Sequence, residues 1–241
     1  MFSDNYFKKT IEILTEINNT QREKILAVSD MAAETIKNDG IIYIFGCGHS
    51  HLIALDSFYR AGGLANVSAI LDTDLMLHNG AAKSSAMEKM PGIAKHILKR
   101  YCVTENDMLI IVSTSGKNAV PVEMAIEAKK AGIKTAAIVS SAYFDKKTGC
   151  EALLYEEVDV YVDNLMPYGD VTVELESSKV KMGSVSTIAC SFIMQSILLN
   201  AADKCGKDGI EIPVYMSGNV EGGKEYNAKI VDKFLPRIKH L

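Results

Sequence analysis

The sequence has no CxxC pair, no lysine- or arginine-rich stretch and no apolar run approaching twenty residues. Each absence excludes a class of protein. Five cysteines, Cys47, Cys102, Cys150, Cys190 and Cys205, stand far apart and are odd in number, which fits neither a zinc knuckle nor a disulfide framework. Idle thiols in a reducing compartment are the expectation. Twenty-six basic against thirty acidic residues give a net charge of −4, which is no footprint for nucleic acid and no polybasic membrane anchor. Without a long apolar run no spanning helix is expected, and the N-terminus MFSDNYFKKTIEIL lacks a cleavage signal, so a cytoplasmic protein is expected. A Walker GxxxxGK[ST] loop is missing as well. Single anionic ligands stay open, because backbone amides bind them without net positive charge.

What is present is alternation. Phe7, Ile11, Leu14, Ile25, Val28, Ala32 and Ile36 predict a long N-terminal helix, with a break expected near Asn18 and Gln21 and a stop at Asn38-Asp39-Gly40. Ile41–Phe45, Asn66–Leu71, Asp107–Val112, Thr135–Val139 and Val158–Val162 read as short strands, and the continuous apolar ones suit a sheet covered on both faces. Helices are expected over His51–Ala61, Ala86–Tyr101, Ala119–Ala131, Gly183–Ala202 and near the C-terminus, with an edge strand over Val171–Leu175. Strand, Gly/Ser loop and helix follow one another twice, which predicts an α/β sandwich around a parallel sheet. No linker, low-complexity segment or internal repeat appears, so one domain is expected over residues 1–241.

Two loops carry the chemistry. Gly46-Cys47-Gly48-His49-Ser50 joins the first strand to a helix, where glycines allow close approach of a ligand and the helix N-terminus favours an anion. Ser113-Thr114-Ser115-Gly116-Lys117-Asn118 follows the third strand, and its hydroxyls and amides form a donor-rich cradle. Asp56, Glu88, Glu174, His51 and His78 are the acid–base candidates nearby. His49-x-His51 without a third ligand predicts no metal site.

These two loops resemble the signature loops of the SIS (sugar isomerase) domain over roughly residues 35 to 205. The stretches HSHLIALDSFYRAGGLA, LMLHNGAAKSS and PVYMSGNVEGG resemble the stand-alone, phosphoheptose-isomerase-like branch of that family. The resemblance implies a three-layer α-β-α sandwich with a mostly five-stranded parallel sheet, flavodoxin/Rossmann-like, behind a long N-terminal helix. Its parts are a helical segment over about 1–38, a core over about 39–205 and an extension over about 206–241. It implies that Gly48, Ser50, Ser113, Thr114, Ser115 and Asn118 hold the phosphate of a phosphosugar, with Asn118 standing where the family has Ser or Thr. Aldose–ketose isomerisation through an enediol(ate) is the implied reaction, without cofactor or metal. Asp56, His51, His78 and Glu88 are the implied catalytic groups, and Glu174 and Asn219 the implied sugar contacts. The glutamate of heptose isomerases falls nearer Tyr59, where this sequence has no acid. A non-catalytic phosphosugar sensor, or a lactyl-sugar-phosphate etherase, is the alternative. The expected assembly is a homodimer or dimer of dimers.

Overall fold

The computed structural model describes residues 1–145 and 152–241. Among them the elements run α1 (Phe2–Thr20), α2 (Arg22–Lys37), β1 (Ile42–Gly46), α3 (His51–Ser57), β2 (Val67–Ile70), α4 (Ala81–Met87), α5 (Ala94–Leu98), β3 (Met108–Val112), α6 (Ala119–Lys130), β4 (Lys134–Val139), α7 (Leu154–Glu157), β5 (Val160–Asp163), α8 (Ser186–Lys207) and α9 (Gly223–Phe234). The five strands form one all-parallel sheet in the order β2-β1-β3-β4-β5.

Side chains alternate across this sheet with the period of two that a strand imposes. Ile42, Ile44, Met108, Ile110, Val112 and Ile138 pack on one face with Val28 and Ala32 of α2 and Ile193 and Ile197 of α8. Tyr43, Phe45, Leu109, Ile111 and Val139 pack on the other with Ile97 of α5 and Val120 and Met124 of α6. Nearly all of these residues are buried, and each large one contributes roughly 1.5–3 kcal/mol by leaving water. Both faces are covered, which is why the strands read as unbroken apolar runs.

Several elements depart from the sequence expectation for local reasons. The break expected near Asn18 and Gln21 is not one of them: Gln21 takes φ −104° and ψ 5° and turns the chain between α1 and α2. Helix α3 ends at Ser57 rather than Ala61: Phe58 is extended and Tyr59 takes a left-handed φ of 46°. The expected helix over Ala86–Tyr101 holds only the end of α4 and the short α5, broken around Pro91, where Glu123 accepts the Gly92 N–H at 2.7 and 2.9 Å and holds the turn against α6. The expected edge strand over Val171–Leu175 is a single antiparallel bridge, Val173 to Met182. Cys47, Cys190 and Cys205 are buried free thiols, Cys102 is exposed, and Cys150 lies outside the described residues. No helix among the described residues is long and apolar enough to cross a membrane.

The N-terminal ends of the two central strands are tied by one carboxylate. Asp107, 1% exposed, accepts the Ile41 N–H at 2.7 Å, the Thr104 N–H at 2.6 Å and the Thr104 hydroxyl at 3.0 Å, with the Arg237 guanidinium at 3.4 Å. Replacing it strands buried backbone donors. Asp107→Ala is expected to lower the unfolding free energy by roughly 3 kcal/mol, measured by urea denaturation. A loss below about 0.5 kcal/mol would show that these bonds are replaced by water at no cost.

Candidate functional site

The order 2-1-3-4-5 creates a reversal between β1 and β3. These two strands end level, Gly46 opposite Val112, and the chain leaves them toward opposite faces of the sheet: α3 packs beside α8, α6 beside α5. Open α/β sheets bind ligands in the crevice that such a switch point leaves at the carboxyl edge.

The first loop folds tightly over its own strand. A side chain at Gly46 would meet the Ser50 carbonyl at 2.6 Å, so only glycine lets the turn Gly48–Ser50 close against β1. In the second loop Ser113 turns inward, and its hydroxyl oxygen accepts the Gly116 N–H at 3.2 Å. Gly116 has φ 59° and sits beside Val139 and Leu154, which reserves the position for glycine. Thr114 and Ser115 are half-buried at the loop's outer turn.

A cleft of about 200 Å³ opens between these loops and the start of α8, lined by His49, Ser50, Ile53, Val112, Thr114, Ser186, Thr187 and Cys190. None of these side chains is a lysine or arginine. Hydroxyls, the His49 ring, backbone and a helix N-terminus make up its polar wall. The Ser50, Ser115 and Thr187 hydroxyls have no hydrogen-bond partner among the described residues, whereas the Ser186 hydroxyl and N–H both donate to Asp170, at 2.5 and 3.3 Å. Desolvation pushes the Cys190 thiol up to about 12, so it lines the cleft as an uncharged, unreactive group. A larger groove, about 1040 Å³, runs between Tyr59–Ala61 and α9, but no strand-end loop opens into it.

The acid–base candidates separate. His51 is 3% exposed, and its Nδ1 hydrogen-bonds the Gly48 carbonyl. A carbonyl only accepts, so Nδ1 carries the hydrogen and Nε2 is the ring atom left to face other partners. The exposed His78 ring lies edge-on to His51, centroids 6.2 Å apart. Glu88 is half-buried, and burial raises its pKa above the ordinary carboxylate value against a smaller opposing hydrogen bond from Asn118 of the second loop. Its charge also contributes to raising the pKa of the Cys47 thiol in the first loop, behind burial as the main cause. Asp56 is exposed and ion-paired to Arg60, one helical turn on, and does not line the cleft. Glu174 is paired to Lys181 at 2.7 Å and faces a groove against α1, and Asn219 sits in the exposed turn before α9. No cluster of three His, Cys, Asp or Glu suited to a metal occurs among the described residues.

Sequence reading did not assign Ser186, Thr187, Cys190 or the buried Asn164 to the site. Ser184, Ser186 and Thr187 at the head of a long helix were the available signal, but nothing in their spacing points to loops about 70 and about 140 residues earlier.

A SIS domain model matches residues 5–140. The chain is 39% identical to the UPF0309 protein of Caldanaerobacter subterraneus, over 99% of each chain. Its fold is similar to that of phosphoheptose isomerase GmhA from Neisseria gonorrhoeae, with a TM-score of 0.56 at 16% identity over 82% of this chain and 95% of that one. It is also similar to that of the Vibrio vulnificus NanR protein complexed with ManNAc-6P, with a TM-score of 0.52 at 10% identity over 100% of this chain and 71% of that one.

The raised pKa of Glu88 has a sign that can be measured. The folded chain holds this proton at pH values where the unfolded chain has released it, so the group's contribution to stability falls as pH rises from the ordinary value of 4.5 through the raised one. Glu88→Gln removes that penalty. Its stability relative to the parent is expected to improve as pH rises from the ordinary value of 4.5 through the raised one, followed by urea denaturation. A difference that does not change with pH would place Glu88 in an ordinary solvated environment.

Proposed function

Because the chain belongs to the SIS domain family and lies close to the UPF0309 proteins, we propose that it binds a phosphosugar and interconverts its aldose and ketose forms. The observation that carries the reading is the meeting of two strand-end loops and the first turn of α8 at one cleft walled by neutral donors. Ser50, Thr114, Ser115 and Thr187 take the terminal phosphate oxygens, assisted by the free amides around Gly48 and at the α8 terminus. Ser113 shapes the loop from within, and Asn118 links it to Glu88.

A base then removes the C2 proton of the open-chain aldose, giving an enediol(ate), and returns it to C1, while the O1 and O2 protons move the other way. Glu88 takes the carbon proton in this reading. It is half-buried, its pKa is displaced toward neutrality, and it contacts the phosphate loop. His51, its Nδ1 tied to the Gly48 carbonyl and His78 beside it, moves the hydroxyl proton through Nε2. Asp56 holds Arg60 and the end of α3 in place.

One observation favours binding without turnover: no carboxylate is among the residues lining the cleft. The NanR likeness shows that this fold also occurs in a protein captured with a phosphosugar.

Purified protein incubated with hexose, heptose and amino-sugar phosphates separates the two readings. Isomerisation of at least one is expected, with Glu88→Gln slowing it about 10²–10⁴-fold and leaving binding nearly intact. Binding without turnover of any member favours the sensor, and no binding removes both.

A homodimer or dimer of dimers is proposed as the working assembly. Phe7 and Ile11 of α1, four residues apart on one helix face, remain 68% and 47% exposed, which supports a partner helix there. Light scattering at micromolar concentration is expected to give at least twice the chain mass; a monomer overturns the proposal.

A further inference from the structure

We infer that Asn164, the residue directly after β5, is a positioning residue that compels the Thr114 hydroxyl to act as a donor toward the ligand in the cleft. The inference rests on the phosphosugar reading of that cleft and adds a residue from the edge of the sheet that touches no ligand itself.

Asn164 is 0% exposed, and its amide has only one workable orientation. Its Oδ1 accepts the Met166 N–H at 3.2 Å. Were the amide turned over, its NH₂ would face that N–H, donor against donor, so Nδ2 must be the atom on the cleft side. Nδ2 donates one hydrogen to Thr114 Oγ1 at 3.1 Å and sits 3.4 Å from Cys190 Sγ. The backbone holds this geometry in turn: the Asn164 N–H donates to the Val139 carbonyl at 2.8 Å, and the Thr114 carbonyl accepts the Ser140 N–H at 2.9 Å. Both ends of the Asn164–Thr114 contact are therefore fixed to β4.

A threonine hydroxyl has one hydrogen. With Asn164 donating to its oxygen, that hydrogen has to find an acceptor elsewhere. The nearby Cys190 thiol, held uncharged by burial, is a weak one. A phosphate oxygen entering beside Thr114 is a far stronger acceptor and takes the hydrogen from the sulfur. Without Asn164 the same hydroxyl is free to accept or donate in any direction, and the direction would be chosen again at each binding event.

The test is a double-mutant cycle on Asn164→Leu and Thr114→Val, with inorganic phosphate and glucose 6-phosphate as probes in calorimetric titrations. Each single variant is expected to weaken phosphate binding about tenfold or more, and the double variant to be no weaker than the worse single one. Additive losses would make Asn164 a merely structural residue and overturn the inference. Asn164→Asp, of the same shape, guards against misfolding of the leucine variant. It turns the Thr114 hydroxyl inward and is expected to lose phosphate binding at neutral pH; parent-like affinity overturns the inference. A ligand-free measurement separates this inference from the reading beneath it. Three-bond couplings between the Thr114 hydroxyl hydrogen and its Hβ are expected to show one hydroxyl rotamer in the parent and averaging in Asn164→Leu. Averaging with no phosphate binding by the parent would sink the phosphosugar reading alone; an unaltered rotamer would sink the positioning role whatever binds.

Discussion

The level pairing of β1 and β3, Gly46 against Val112, is the constraint from which the rest of the site follows. Adjacent parallel strands stand about 4.8 Å apart, so two loops leaving them at one height must begin side by side. Their helices then diverge to opposite faces, and the divergence opens a crevice that neither loop encloses alone. The pairing is held from below by Asp107, which hooks the chain entering β1 to the turn entering β3. A slip of β1 by one residue against β3 would turn Ile44 from the α2–α8 layer toward the α5–α6 layer and offset the two loops.

Neutral donors at this crevice are compatible with a chain whose net charge is −4. A cationic side chain in the cleft would attract phosphate from a distance but would also pair with the Asp170 carboxylate at the head of α8. Hydroxyls and amides discriminate by geometry instead, since each oxygen of the ligand needs its own donor at hydrogen-bond distance. The buried Asn164 amide, the inward Ser113 and the left-handed Gly116 each hold the second loop in one shape.

Much of the sheet was legible because its strands are buried on both sides: Ile41–Phe45 and Asp107–Val112 fall within a residue of β1 and β3. The two loops were legible from composition. Short helices were not, because their ends are set by distant partners, as where Glu123 of α6 decides the turn at Gly92. The 171–175 segment alternates like a strand, yet it lies off the sheet and finds only Met182 to pair with. In the site, Asp56 stood at an attractive place on a helix, and Arg60 four residues on was the readable sign of an ion pair. Glu88 gave no such sign, since its burial depends on the α4 end meeting the α6 start, where the Val120 N–H donates to the Glu88 carbonyl. The contribution of α8 is a product of topology alone.

That topology has a consequence for synthesis. The loops of β1 and β3 leave the ribosome early, but the wall opposite them starts at Ser186, and the inner layer of the core needs α8 down to Cys205. The sheet face that α8 covers stays open to the nascent chain's surroundings until more than four-fifths of the residues have been joined. During that interval Ile44, Ile110 and Ile138 have only α2 and α3 to shelter them, and the growing chain is at its most exposed to chaperones and to other unfinished copies. The cleft between the two loops and α8 is therefore completed in the same late step that closes the core.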